Sequence, residues 1–109
     1  MQKYIRNQSR VKIYRLHAEG PGRPASYGFT PSDVVSSVME LELRRLGSVP
    51  GATLAAVLHV KNVFVDLQGE NAERTIYRDW AKSKTLVKAL STADLLDIIK
   101  PYEVKLRRH

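Results

Sequence analysis

The side chains best placed to do chemistry lie near the amino terminus, and what they suit is the binding of a polyanion. Arg10, Lys12, Arg15 and His17 alternate with Val11, Ile13, Tyr14 and Leu16. Six residues on, Arg23 sits within the run Gly20-Pro21-Gly22-Arg23-Pro24-Ala25-Ser26-Tyr27. An arginine on a glycine/proline ribbon presents its charge on a backbone with little freedom left to lose, which suits a phosphate or a narrow minor groove. Lys12, Arg15 and His17 can supply a groove-facing side, and the Tyr14 hydroxyl can donate to a phosphate. Tyr27 closes the ribbon.

Reaction chemistry has much weaker support. Asp33, Glu40 and Glu42 share one segment, but Asp33 is accounted for as a helix cap, Glu40 stands four residues before Arg44, and no histidine lies near them in sequence. Ser36 and Ser37 read as solvated helix residues. Gly20-Pro21-Gly22 lacks the later glycine of a phosphate-binding loop. The chain has no cysteine, which removes thiolate ligands and nucleophiles, and His17, His59 and His109 are too scattered for a zinc site. The expectation is a non-enzyme without metal or cofactor.

The elements that must position these residues begin with a well-marked helix. Thr30 suits an N-cap, Pro31 the first helical position and Asp33 the third. Val34, Val38, Leu41 and Leu46 then supply an apolar face up to Gly47, so a helix is expected over 31–46. Thr53 is expected to cap a second helix reaching about His59. Val63-Phe64-Val65-Asp66-Leu67 and Thr75-Ile76-Tyr77 read first as a β-hairpin closed by Trp80, with an amphipathic helix from about Asn71 through Trp80, on which Ile76 and Trp80 lie four apart, as its competitor. Residues 84–90 fit strand or helix. Ser91 caps a helix ended by Pro101, and Tyr102 to Arg108 fit an edge strand or a basic tail. Arg10 to His17 fit a strand or a short helix. The expected fold is α+β: a small winged-helix-like domain with a central helix pair and a β-hairpin. It forms a single domain over 1–109, divided into a wing and helix pair (20–60) and a hairpin, short helix and basic C-terminal segment (61–109).

Charge agrees with a polyanion partner. The 109 residues carry 18 Lys+Arg against 11 Asp+Glu, a net +7. Residues 1–30 hold six basic side chains to one acidic, residues 31–80 five to seven, and residues 81–109 seven to three. Each phosphate neutralised by such a surface releases counterions, which gives affinity independent of base sequence. The longest apolar run, Leu54 to Leu58, is too short to span a bilayer, so no membrane partner and a cytoplasmic location are expected.

Arg23-Pro24-Ala25-Ser26-Tyr27, Phe29, Asp33-Val34-Val35, Leu43-Arg44-Arg45-Leu46-Gly47 and Leu54 to Leu58 follow one another in an order that resembles the wing and following helix pair of MerR-type winged-helix transcription regulators. The resemblance covers about residues 20–60. It implies a DNA-binding regulator that occupies duplex DNA; association with a phage or mobile element and a homodimer are further expectations for this chain. Arg23 would contact backbone phosphates from the wing with Tyr27 in support, and Arg15 or Lys12 would approach bases. The alternative reading is a non-catalytic basic subunit of a ribonucleoprotein or virion. If the ribbon meets the polyanion, Arg23→Ala leaves folding intact, weakens binding across sequences and lowers the slope of log affinity against log salt by about one. Unaltered binding of that variant removes the wing from the mechanism.

Overall fold

The computed structural model describes residues 12–16 and 28–104. Within them run a short strand β1 (Ile13–Tyr14), helices α1 (Pro31–Leu46), α2 (Ala52–Val63), α3 (Ala72–Ala89) and α4 (Thr92–Ile99), a 3-10 turn (Lys100–Tyr102) and strand β2 (Glu103–Val104). The architecture is α+β and mostly helical, with one small antiparallel sheet.

Helix α1 starts as its residues dictate. The Thr30 hydroxyl accepts from the Asp33 N–H at 3.2 Å, the Asp33 carboxylate accepts from the Thr30 N–H at 3.0 Å, and Pro31 occupies the first turn. It ends at Gly47, whose φ of +78° is open to glycine at little cost. Val34, Val35, Val38 and Met39 are buried, and Leu41 and Leu46 are half-buried at the margin. Helix α1 is the element around which α2, α3 and α4 pack.

Ser36 and Ser37, expected in solvent, are completely buried. Ser36 lies where α3 crosses α1, its hydroxyl donating to the Asp79 carbonyl at 2.9 Å, while Ser37 donates back within α1 to the Asp33 carbonyl at 2.7 Å. Two further bonds cross the same seam, from Ser32 to the Asp79 carboxylate at 3.0 Å and from Ser83 to the Asp33 carboxylate at 2.7 Å. Asp33 therefore caps its own helix and ties it to α3.

The expected hairpin at 63–77 is not formed. Val63 completes α2, and Thr75, Ile76 and Tyr77 belong to α3. Ala72, Ile76, Trp80, Ser83 and Val87 fall on one buried stripe at helical spacing, so burying that stripe on α1 overrides the local β preference of Ile76 and Tyr77. Residues 84–89 continue the same helix. Thr53 is not the cap of α2: Gly51, at φ +78°, starts the helix without a side-chain cap, and Thr53 lies within its first turn.

The sheet joins segments far apart in sequence, with Ile13 opposite Val104 and Tyr14 opposite Glu103. On the other side of β1, Tyr14 forms a parallel bridge to Phe64 and its carbonyl accepts from the Val65 N–H at 3.0 Å. The Leu16 N–H donates to the Asp66 carboxylate. Within the described part of the Arg10 to His17 segment, Ile13–Tyr14 is thus strand and no residue is helical, and Glu103–Val104 is its partner. No helix among the described residues is long and apolar enough to cross a membrane.

Phe64 is fully buried and holds β1 against the helices, whereas Leu41 is half-buried. Phe64→Ala should destabilise the fold by about 3–5 kcal/mol, and Leu41→Ala by less than about 2 kcal/mol, in urea denaturation. The reverse order would contradict this placement of the core.

Candidate nucleic-acid interface

Of the seven side chains expected at a polyanion, Lys12, Tyr14 and Arg15 fall within the described residues, while Arg10, His17, Arg23 and Tyr27 lie outside them. Lys12 is exposed and ion-paired to Glu103 at 3.5 Å. Arg15 is half-buried, and its backbone N–H donates to the Tyr102 carbonyl at 2.9 Å.

Tyr14 has a different role from the one expected. It is only 6% exposed, and its ring packs on that of Phe64 with centroids 5.4 Å apart. Burial, reinforced by the negative charge of Glu103, pushes the phenol up to about 12. The residue forms part of the core between β1 and the start of the α2–α3 connection. The alternation of residues 11–16 carries this signal, since in a strand paired on both sides one row of side chains must enter the core.

The basic surface that the structure does assemble is the solvent face of α3. Arg74, Arg78 and Lys82 recur every four residues, and Lys84 and Lys88 flank them with the exposed ring of Tyr77. The acidic residues of this helix are accounted for elsewhere: Asp79 is turned into the seam with α1, and Glu73 is paired with Lys61 at 3.5 Å. Arg74, Arg78 and Lys82 make no ion pair or hydrogen bond among the described residues. The helix is 18 residues long, about 27 Å, so its face offers an extended row of like charge. These residues escape a reading by strands, because their spacing of four has meaning only once the segment is helical.

Other arginines are structural. Arg44 donates from Nε to Glu40 at 2.8 Å, from Nη1 to the Thr92 hydroxyl at 2.9 Å and from Nη2 to the Leu90 carbonyl at 2.7 Å, so it fastens α1 to the α3–α4 turn. Arg45 makes two bonds to Glu42, at 2.9 and 2.6 Å, which hold the Glu42 carboxyl below its usual range.

Two cavities flank this framework. One, of about 300 Å³, is lined by Phe29, Leu90, Ile98 and Pro101 together with Asp94 and Asp97, a charge that disfavours phosphate. The other, of about 400 Å³, lies between α1 and α3 beside Trp80 and is bordered by Lys84 and Lys88. No group of three His, Cys, Asp or Glu among the described residues could hold a metal ion.

The buried Tyr14 phenol gives a pH dependence of definite sign. Between pH 10 and 12 the unfolded chain has lost this proton and the folded chain keeps it, so stability falls as pH rises through that window. The contribution is a slope of about 1.4 kcal/mol per pH unit. Denaturation of the native protein and of Tyr14→Phe across the window should show this slope in the first and its loss in the second.

Comparisons with protein-family models, with curated proteins and with solved structures return no match.

Proposed function

We propose that this protein binds nucleic acid without catalysing a reaction, with the solvent face of α3 as a principal contact surface. The observation that carries this reading is the row Arg74, Arg78 and Lys82, extended by Lys84 and Lys88, with both acidic side chains of the helix engaged elsewhere. Arg74, Arg78 and Lys82, which have no ion pair among the described residues, gain most from a polymer of negative charge, because each neutralised phosphate releases bound counterions. A single helix of this kind fits the major groove of B-DNA, which makes duplex DNA the favoured form. Tyr77, exposed among the bases, adds a hydroxyl for a phosphate.

In its finer form the reading is a small winged-helix transcription regulator that acts by occupying duplex DNA. Arg23 and the ribbon around it would then add phosphate contacts to those of α3. A second reading is a basic assembly subunit of a ribonucleoprotein or virion. It is favoured by the exposed Val49, before α2, and the exposed Leu54 and Leu58, one turn apart on α2, apolar side chains that would suit a protein neighbour.

Titration with duplex DNA, duplex RNA and single strands at several salt concentrations tests the proposal. Binding should fall steeply with salt. The triple variant Arg74→Ala/Arg78→Ala/Lys82→Ala should keep its helical circular dichroism and lower the slope of log affinity against log salt by roughly three. An unchanged slope would move the interface away from α3. No binding to any of these polymers at low salt would leave the assembly reading without its nucleic acid.

A further inference from the structure

The cavity between α1 and α3 holds a buried carboxylate oxygen without a hydrogen-bond donor. Glu40 is 6% exposed; its Oε2 accepts from Arg44, but its Oε1 is shielded from solvent and has no hydrogen-bond partner. The nearest cation is the Lys88 ammonium, 3.7 Å from Oε1. That same ammonium lies 5.5 Å from the centre of the Trp80 ring, and Lys84 lies 6.0 Å from it. Both lysines are long, exposed side chains on the basic face of α3, so they border the cavity and the proposed polyanion surface together.

We propose that this cavity takes one unpaired nucleobase bearing an exocyclic amino group, cytosine being the smallest, from a strand bound along α3. The inference rests on the nucleic-acid reading above. Trp80 is 7% exposed with both ammoniums over its ring, so a phosphate that draws Lys84 and Lys88 outward widens access to the edge of the indole that lines the cavity and leaves Glu40 Oε1 without its cation. A buried carboxylate oxygen stripped of its nearest cation is costly unless a hydrogen-bond donor takes that cation's place. The incoming group must therefore bring an N–H to Oε1 and a flat apolar surface to Trp80, with a negative charge close behind for the lysines. A plain anion meets the lysines but is repelled by Glu40. A nucleotide of a bound strand satisfies all three, and the volume of about 400 Å³ lies within the usual range for small-molecule sites.

The arrangement discriminates between pyrimidines. Cytosine offers its N4 amino group to a carboxylate, whereas thymine and uracil carry a carbonyl oxygen at that position, which would face the carboxylate oxygen lone pair to lone pair. Selectivity arises because the wrong base leaves a buried acceptor opposed by another acceptor.

The chain contains one tryptophan, so its fluorescence reports on this cavity directly. The full-length protein is titrated with oligodeoxycytidylate and oligodeoxythymidylate of about ten nucleotides, and separately with a duplex. The expected result is a change in Trp80 emission with the cytidylate and at least about fivefold tighter binding of it than of the thymidylate. Thr53→Tyr, a substitution at an exposed position lining the cavity, should abolish that preference by filling the space while leaving duplex affinity unchanged. Glu40→Gln should also abolish it, since an amide can donate to the thymine carbonyl. Equal binding of the two strands by the native protein, or a preference that survives Thr53→Tyr, overturns the assignment and leaves duplex binding by α3 standing. Failure to bind duplex and strands alike overturns both readings.

Discussion

The contact between α1 and α3 is the constraint on which the rest of this structure depends. It is an approach of two helices fastened by serine: Ser32, Ser36 and Ser83 spend their hydroxyls on Asp79 and Asp33, and the buried Ser36 has no bulk to hold α3 away. Buried hydroxyls and carboxylates are stabilising only when satisfied, so these bonds fix both the distance and the register of the helix pair. A slide of one turn along the seam would leave Asp79 and Ser83 buried without partners. The apolar residues on either side, Val34, Val35 and Met39 on α1 and Ile76 and Val87 on α3, supply the larger burial but are less particular about register.

At the far end of α1 a second device sets where α3 stops. Arg44 satisfies carbonyls at the end of α3 and the Thr92 hydroxyl at the start of α4, and the buried Glu40 neutralises it. The Glu40 carboxylate must leave water for this pair while Arg44 keeps part of its guanidinium in solvent, so the net stabilisation is small and the fixed geometry is the main gain. Its geometry has a side effect: with Oε2 committed to Arg44, Oε1 of this cavity-lining residue stays buried without a hydrogen-bond donor, 3.7 Å from the Lys88 ammonium.

Locking one face of α3 determines what the other face is. With Asp79 drawn into the seam and Glu73 engaged by Lys61, the solvent side retains Arg74, Arg78, Lys82, Lys84 and Lys88. The polarity of this surface is thus tied to the packing of the helix. The net charge gains its pattern from the same hydrogen bonds that hold the fold together.

Much was legible in the residues alone. The start of α1 is written in Thr30, Pro31 and Asp33, and its end in Gly47, because capping and backbone freedom act over a few neighbouring residues. The same holds for Ser91 before α4. The basic excess and the lack of cysteine needed no fold to be seen. Tertiary structure decided between readings wherever local signals were balanced: Ile76 and Tyr77 are good strand residues, yet the stripe from Ala72 to Val87 is buried by α1 and the helix wins. It also decided the fate of individual polar groups. Ser36, Ser37 and Tyr14 carry the same chemistry in solvent as in a core, and only the arrival of α3, Phe64 and β2, segments distant in sequence, made them interior. Local capping depends on neighbours along the chain, whereas burial depends on partners that only the complete packing brings together.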